Sequence, residues 1–115
     1  MKTGQDFTVP AGDGMTVNFT IDADDGATLD GYQINWKAVP LNRVASEALA
    51  HTISKSLSNG VAVVDEDTRK FSITLDPADT EGMEGRYLHE AEIVDGQNTP
   101  TTVTQGVMTV LKTVN

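Results

Sequence analysis

The chain has 115 residues, no cysteine, and a formal net charge of −9 from 17 acidic and 8 basic side chains. The lack of cysteine excludes thiol chemistry, disulfides and cysteine-based zinc sites, and the acidic balance argues against binding to nucleic acids or anionic membranes, which need clustered lysine and arginine. The length is that of one domain, residues 1–115, and a chain of this size buries roughly two-thirds of its unfolded surface.

The N-terminus lacks the apolar stretch of a signal peptide, and the sequence contains no apolar run of membrane-spanning length. We therefore expect synthesis in the cytoplasm. The negative charge is typical of a soluble protein whose copies repel one another. Docking of the acidic chain on a basic surface of a large partner is the alternative explanation.

The N-terminal part predicts three strands. A short first strand over residues 5–9 is ended by a proline. Residues 15–22 alternate apolar and polar side chains, as in a half-buried strand. Residues 31–39 repeat the alternation and place the single tryptophan, Trp36, on the inward face.

The segment from residue 40 to residue 64 is ambiguous. Apolar residues recur at both helical and strand spacing between residues 41 and 58, so the pattern alone is compatible with either structure. The dipeptide Asn59-Gly60 is typical of a hairpin turn, which favours strands on both sides. We predict a loop over residues 40–47, a strand over 48–58, and a strand over 60–64 that pairs back on it.

Residues 70–95 predict a strand, a tight corner and a second strand. The first strand alternates up to residue 75, and the proline at 77 ends its ladder because it has no N–H to donate. Acidic residues near the start of 77–81 favour one helical turn. An aspartate eight residues before a tyrosine, with a glycine between them, is the layout of a tyrosine corner, whose ring packs in the core. The predicted corner residues are Leu75, Pro77, Asp79, Gly85 and Tyr87.

The last predicted strand spans residues 101–114, with a bulge at Gly106. Seven to eight short strands with regular turn signals indicate an all-β, antiparallel, immunoglobulin-like β-sandwich. Its predicted core is formed by inward-facing residues of the alternating strands, namely Phe19, Ile34, Trp36, Phe71, Ile73 and Ile93.

Candidate metal ligands are few. The acidic loop over residues 22–26 has glycine at position 5 and glutamine at position 12 of an EF-hand pattern, so it fails that pattern. A solvated connection explains the loop more simply, while a looser calcium site remains open. His51 and His89 have no partner at metal-binding spacing. We interpret His89 as a satisfied, partly buried strand histidine and predict no metal site and no cofactor.

Groups for catalysis or sugar binding are also weakly represented. The carboxylates of Asp79, Glu81 and Glu84 are explained by capping of the corner turn and by its dipole. We therefore predict that the protein is not an enzyme. A carbohydrate-binding module would need exposed aromatic rings, but Tyr32 and Tyr87 share the inward register of Trp36.

Four short motifs follow one another along the second half of the chain: Leu-x-Pro-x-Asp-Thr at a strand end, Gly-x-Tyr at the corner, His-Glu-Ala on the next strand and Gly-x-x-Thr-Val on the last. They fall on Leu75, Pro77, Asp79, Thr80, Gly85, Tyr87, His89, Glu90, Ala91, Gly106, Thr109 and Val110. In this combination the chain resembles small immunoglobulin-like proteins of tailed-phage and prophage structural modules. It is also similar to the N-terminal domain of phage baseplate upper proteins. The motifs cover about half of the chain, and the N-terminal half matches more loosely.

The resemblance implies a non-enzymatic virion structural protein of a tailed bacteriophage, made in the host cytoplasm. A freestanding acidic domain suits a capsid decoration protein that binds the major capsid protein in many copies, because a lattice supplements weak affinity per site. The alternative is a tail or baseplate adaptor that carries a receptor-binding protein, and the alternative of another class is a carbohydrate-binding module. Self-association or multi-copy assembly is expected, without nucleic acid or membrane. Expected contact surfaces are edge strands, the N-terminal arm and the loop that begins with Pro40, Leu41, Asn42 and Arg43.

Overall fold

The computed structural model describes residues 3–21, 33–41, 52–65, 69–94, 97 and 99–112. The acidic loop 22–26, Tyr32, Asn42, Arg43 and His51 lie outside these ranges. The elements of the described residues are β1 (Phe7–Pro10), β2 (Met15–Thr20), β3 (Gln33–Pro40), β4 (Ile53–Leu57), β5 (Gly60–Asp65), β6 (Lys70–Leu75), the helical turn α1 (Pro77–Thr80), β7 (Gly85–Val94) and β8 (Pro100–Leu111).

The eight strands form one hydrogen-bonded order, β1-β8-β7-β3-β4-β5-β6-β2, and this sheet folds over on itself. Most neighbours are antiparallel, whereas β1 runs parallel to β8. Phe7 of β1 and Phe19 of β2 stand at opposite ends of the order, yet their ring centroids are 6.3 Å apart. The strands therefore make two facing layers, β1-β8-β7-β3-β4 and β5-β6-β2. The predicted all-β sandwich and the helical turn at its corner are confirmed.

The chain passes from one layer to the other between β4 and β5. Strand β4 pairs antiparallel with β3, and β5 pairs antiparallel with β6, while β4 and β5 share only two parallel bridges at the turn. The predicted hairpin between these strands was therefore wrong. Ser58 and Gly60 both have positive φ, 68° and 97°. An Asn-Gly turn is typical of positive φ, but here those angles direct the chain across the sandwich instead of back along β4.

The irregularity of β8 lies at Val103, and the bulge predicted at Gly106 was wrong. The register with β7 passes from Thr104 directly to Thr102, which leaves Val103 as the extra residue of a bulge. Both Val103 and Thr104 are consequently buried. Gly106 instead pairs in register with His89. The small residue at this position is required by a close backbone approach, described below.

The core lies between the two layers. All six residues predicted for it are buried, with at most 4 % of their surface exposed. The full burial of such large apolar side chains contributes roughly 1.5–3 kcal/mol each. Strands β1 and β8 complete the core with Val9, Val103, Met108 and Val110.

Candidate functional site

The corner, residues 75–87, joins β6 to β7 and is fastened by a carboxylate with two partners. The Oδ2 atom of Asp79 accepts a hydrogen bond from the backbone N–H of Asp76 at 2.6 Å. The same oxygen lies 2.7 Å from Nζ of Lys55 on β4. The predicted capping role of Asp79 is thus confirmed, and its charge is used to hold the corner on β4.

Other corner residues also fix the fold. The hydroxyl of Thr80 accepts a hydrogen bond from the backbone N–H of Gly12 at 3.0 Å, which ties the β1–β2 turn to the corner. Leu75 and Tyr87 are buried, with 0 % and 2 % exposure. Pro77 and Gly85 are exposed, and Gly85 adopts φ of 105°, a conformation that strains any side-chain-bearing residue.

His89 is the most deeply buried titratable side chain that the structure describes. Its exposure is 0 %, and each ring nitrogen has a protein partner. Nδ1 accepts a hydrogen bond from the indole N–H of Trp36 at 3.2 Å, and Nε2 lies 2.5 Å from the backbone carbonyl oxygen of Gln5. A carbonyl oxygen accepts only, so Nε2 carries the proton and the ring is the neutral Nε2–H tautomer. The interpretation of His89 as a satisfied histidine is confirmed.

Burial lowers the pKa of His89 below its ordinary value of 6.5. The ring is packed among aromatic side chains, with the centroids of Phe7, Phe19 and Trp36 at 5.1, 5.5 and 5.9 Å. Desolvation disfavours the imidazolium form in such surroundings. The Gln5 hydrogen bond and the charges of Asp6 and Glu90 act in the opposite direction, but burial outweighs them.

Gly106 makes the close approach of the N-terminal chain possible. A β-carbon at this position would overlap the Gln5 carbonyl group and would stand 2.8 Å from Nε2 of His89. Only a residue without a side chain fits there. Residues 5, 36, 89 and 106 therefore form one cluster, which we call the latch. Sequence reasoning marked Trp36, His89 and Gly106 separately but had no signal that joined them to Gln5.

The described residues contain no group of three or more histidine, cysteine, aspartate or glutamate side chains placed to hold a metal ion. The nitrogens of His89 already have partners within the protein. Within the same part of the chain, no helix is long and apolar enough to cross a membrane. The acidic loop over residues 22–26, where a looser calcium site was left open, and His51 lie outside the described residues.

Two of the predicted contact residues, Pro40 and Leu41, lie at the end of β3 and differ in exposure. Pro40 is buried, in register with Tyr87 of β7, so its assignment to a contact surface was wrong. Pro40 is the final residue of β3 and shares the buried face of that strand, so its ring points inward. Leu41 is 39 % exposed, and its N–H donates to the carbonyl of Arg86 at 3.1 Å.

Two exposed apolar residues, Leu41 and Leu111, lie at the corner end of the sandwich, where β3 and β8 terminate. Leu111, at the end of β8, is 51 % exposed at this end. Beside it lies a groove of about 590 Å³ between residues 11–13, residues 81–84 and Lys112. The groove includes the carboxylates of Asp13, Glu81 and Glu84. We call Leu41, Leu111 and this groove the corner-end surface.

The structure is similar to that of a chicken TCR, with a TM-score of 0.58 and 13 % sequence identity over 97 % of this chain. The fold is immunoglobulin-like. The match covers 55 % of the TCR chain, so the present chain spans about half of its length. AggA, the major subunit of aggregative adherence fimbriae type I from Escherichia coli, aligns with a TM-score of 0.38 at 13 % identity, over 96 % of this chain and 90 % of AggA.

No protein-family model matches the sequence, and no curated protein matches it. At 13 % identity the likeness to the TCR extends to the immunoglobulin-like fold alone. Function has to be argued from the residues of this chain.

Proposed function

We propose that the protein is a non-enzymatic structural subunit of a tailed-phage virion that decorates the capsid by binding the coat-protein lattice. The observation that carries the proposal is that Asp79 and His89, two side chains of types that often carry chemistry, are both bonded to partners within the protein. Asp79 is committed to Lys55 and to the helical turn, and His89 is committed to Trp36 and Gln5. These residues hold a scaffold together, which suits a building block.

The phage-like motifs support the proposal through the same contacts. Asp79 and Tyr87 belong to the corner, while His89 and Gly106 belong to the latch. The motif residues thus build the two fastenings of the sandwich, and a domain with these fastenings presents a stable surface to a partner. A fold hosts many functions, so the choice of capsid over tail rests on the acidic character of the chain.

The corner-end surface is the contact site that we assign to this function. Exposed Leu41 and Leu111 offer apolar area for a partner to cover. The neighbouring carboxylates of Asp13, Glu81 and Glu84 complement a basic patch on a coat-protein lattice. Many weak contacts of this kind suffice when copies are arrayed on a lattice.

A carbohydrate-binding role gains no support from the described aromatic side chains. Trp36 and Tyr87 are 1 % and 2 % exposed, so neither ring can stack on a sugar. Tyr32 lies outside the described residues.

The test is a binding experiment with undecorated heads and, separately, with free tails of the phage that encodes the chain. Stoichiometric co-sedimentation with heads is expected. The double variant Leu41→Ser, Leu111→Ser should lose at least tenfold in affinity. Val64→Ser is the matched control, since Val64 is 54 % exposed at the opposite end of β5 and β6, and it should bind as the parent does.

Binding to tails alone would replace the capsid role by a tail or baseplate adaptor. Binding to neither particle, together with quenching of tryptophan fluorescence by glycans, would favour the carbohydrate-binding module. Equal loss of binding in the Val64→Ser control would remove the corner-end surface from the proposal.

A further inference from the structure

The N-terminal segment, residues 3–6, is a thin cover over the buried imidazole of His89. Three hydrogen bonds hold it: Gln5 N–H to the carbonyl of Gln105 at 3.2 Å, Val107 N–H to Oδ1 of Asp6 at 2.8 Å, and His89 Nε2–H to the carbonyl of Gln5 at 2.5 Å. The segment leads directly into β1, which pairs with β8. Its residues are exposed or half-buried.

The contacts of His89 are compatible with only one protonation state. The lone pair of Nδ1 accepts the indole N–H of Trp36. A proton added at Nδ1 would place two N–H donors against each other, and neither could accept. The resulting imidazolium would be buried at 0 % exposure, without contact with water.

The two sides of the imidazole differ in how far they can yield. Trp36 is 1 % exposed, and its displacement would open the core between the layers. The N-terminal segment, in contrast, lies at the surface and is fixed by three hydrogen bonds. Displacing this segment lets water reach the ring at a lower cost in free energy than displacing Trp36.

Among the described residues, two charged groups act on His89. Asp6, beside β1, and Glu90, the next residue of β7, both favour the protonated ring. The neighbours from β2, β3 and β8 are Phe19, Trp36 and Gly106, none of which ionises in this range. Asp6 leaves with the N-terminal segment when it is released, whereas Glu90 stays on β7 and can accompany the imidazolium once water is admitted.

We propose that His89 is a proton-operated latch: uptake of one proton at Nδ1 releases the N-terminal segment and β1 from β8. The burial of the ring lowers the pKa of His89 in the closed form. The closed form therefore binds the proton more weakly than the open form does. The equilibrium constant for opening rises as pH falls below about 6.5, by at most tenfold per pH unit for one proton, and is constant at higher pH. Opening uncovers the edge of β8, which can then pair with another strand.

The experiment is an NMR titration of the intact chain from pH 8 to pH 4.5, with amide exchange corrected for the intrinsic pH dependence. The ring signals of His89 and the indole N–H of Trp36 should titrate together. Protection of the Gln5 and Val107 amides should fall in the same range. Amides of the β2–β6 ladder, such as Phe71, should keep their protection. Titration of His89 without loss of protection at Gln5 would overturn the proposal.

Two variants separate His89 from the nearby carboxylate. His89→Gln keeps an acceptor and a donor but cannot take up the proton, so acid release should disappear. Asp6→Asn keeps an oxygen acceptor for Val107 and removes a charge that favours the imidazolium only in the closed form, so acid release should persist and should begin at the same pH, which the open form sets. Acid release that persists in His89→Gln, or that vanishes in Asp6→Asn, would assign the effect to another group and overturn the latch. Should His89→Gln fail to fold, the parent titration and Asp6→Asn still decide.

Discussion

The corner and the latch both join distant parts of the chain, but they do so in opposite environments. The corner depends on a charged carboxylate, Asp79, which is 22 % exposed beside Lys55. The latch depends on a neutral ring, His89, with 0 % exposure. Water can take the place of a lost partner near the surface, whereas a buried donor or acceptor that loses its partner is left unsatisfied. The latch should therefore tolerate change less well than the corner.

The sharpest way to break this comparison is Gly106→Ala. The new β-carbon overlaps the Gln5 carbonyl, and the backbone of the N-terminal segment must move away. We expect a loss of about 3 kcal/mol in the free energy of unfolding, from overpacking and from the lost His89–Gln5 hydrogen bond. Chemical denaturation measures it.

Gly14→Ala is the control for this substitution. A β-carbon at Gly14 would meet its nearest neighbours, Leu75 and Pro77, at an ordinary 3.6 Å. The change should lie between neutral and a gain of about 1 kcal/mol, because alanine restricts the unfolded chain. A Gly106→Ala protein as stable as Gly14→Ala would mean that Gln5 does not lie against β8.

The second test, Tyr87→Phe, addresses the buried part of the corner. The ring is 2 % exposed at the start of β7, so phenylalanine preserves the packing and removes the hydroxyl alone. We expect a loss of about 1–3 kcal/mol, the usual cost when a buried polar contact loses one partner. A neutral result in thermal or urea unfolding would show that Tyr87 is an ordinary core residue and that the tyrosine corner does not operate here.

The same comparison explains which features were predictable from the sequence. The corner lies within a short stretch, so its proline, aspartate, glycine and tyrosine appear as a local pattern. Strand alternation is also local, and all the residues that it predicted for the core are buried. The latch joins positions 5 and 89, which are 84 residues apart. No local pattern encodes that pairing, and Gly106 was accordingly interpreted as a bulge.

The wrong hairpin has a related cause. Asn59-Gly60 correctly indicated backbone with positive φ, found at Gly60 and at the neighbouring Ser58. Positive φ angles are compatible both with a hairpin turn and with a connection that crosses between the two layers. The choice depends on which strands pair with β4 and β5, and these are β3 and β6. Tertiary pairing, which the turn residues do not encode, decided the outcome.

The smallest expected effect concerns the charge of Asp79. Asp79→Ala removes both the cap of Asp76 N–H and the ion pair with Lys55, and should cost about 1 kcal/mol. Asp79→Asn keeps an acceptor for the cap and loses only the ion pair, so it should cost about half as much. A double-mutant cycle of Asp79→Asn with Lys55→Met isolates the pair, because methionine keeps most of the apolar stem of the lysine.

Salt then sharpens the contrast between the two fastenings. The Lys55–Asp79 coupling should weaken as salt is raised, since Asp79 is partly exposed and screening acts on exposed charges. The loss caused by Gly106→Ala should stay constant over the same range, because no charge takes part in that contact. A coupling unaffected by 1 M salt would place the ion pair in an interior environment, and the division into a solvated corner and a dry latch would no longer hold.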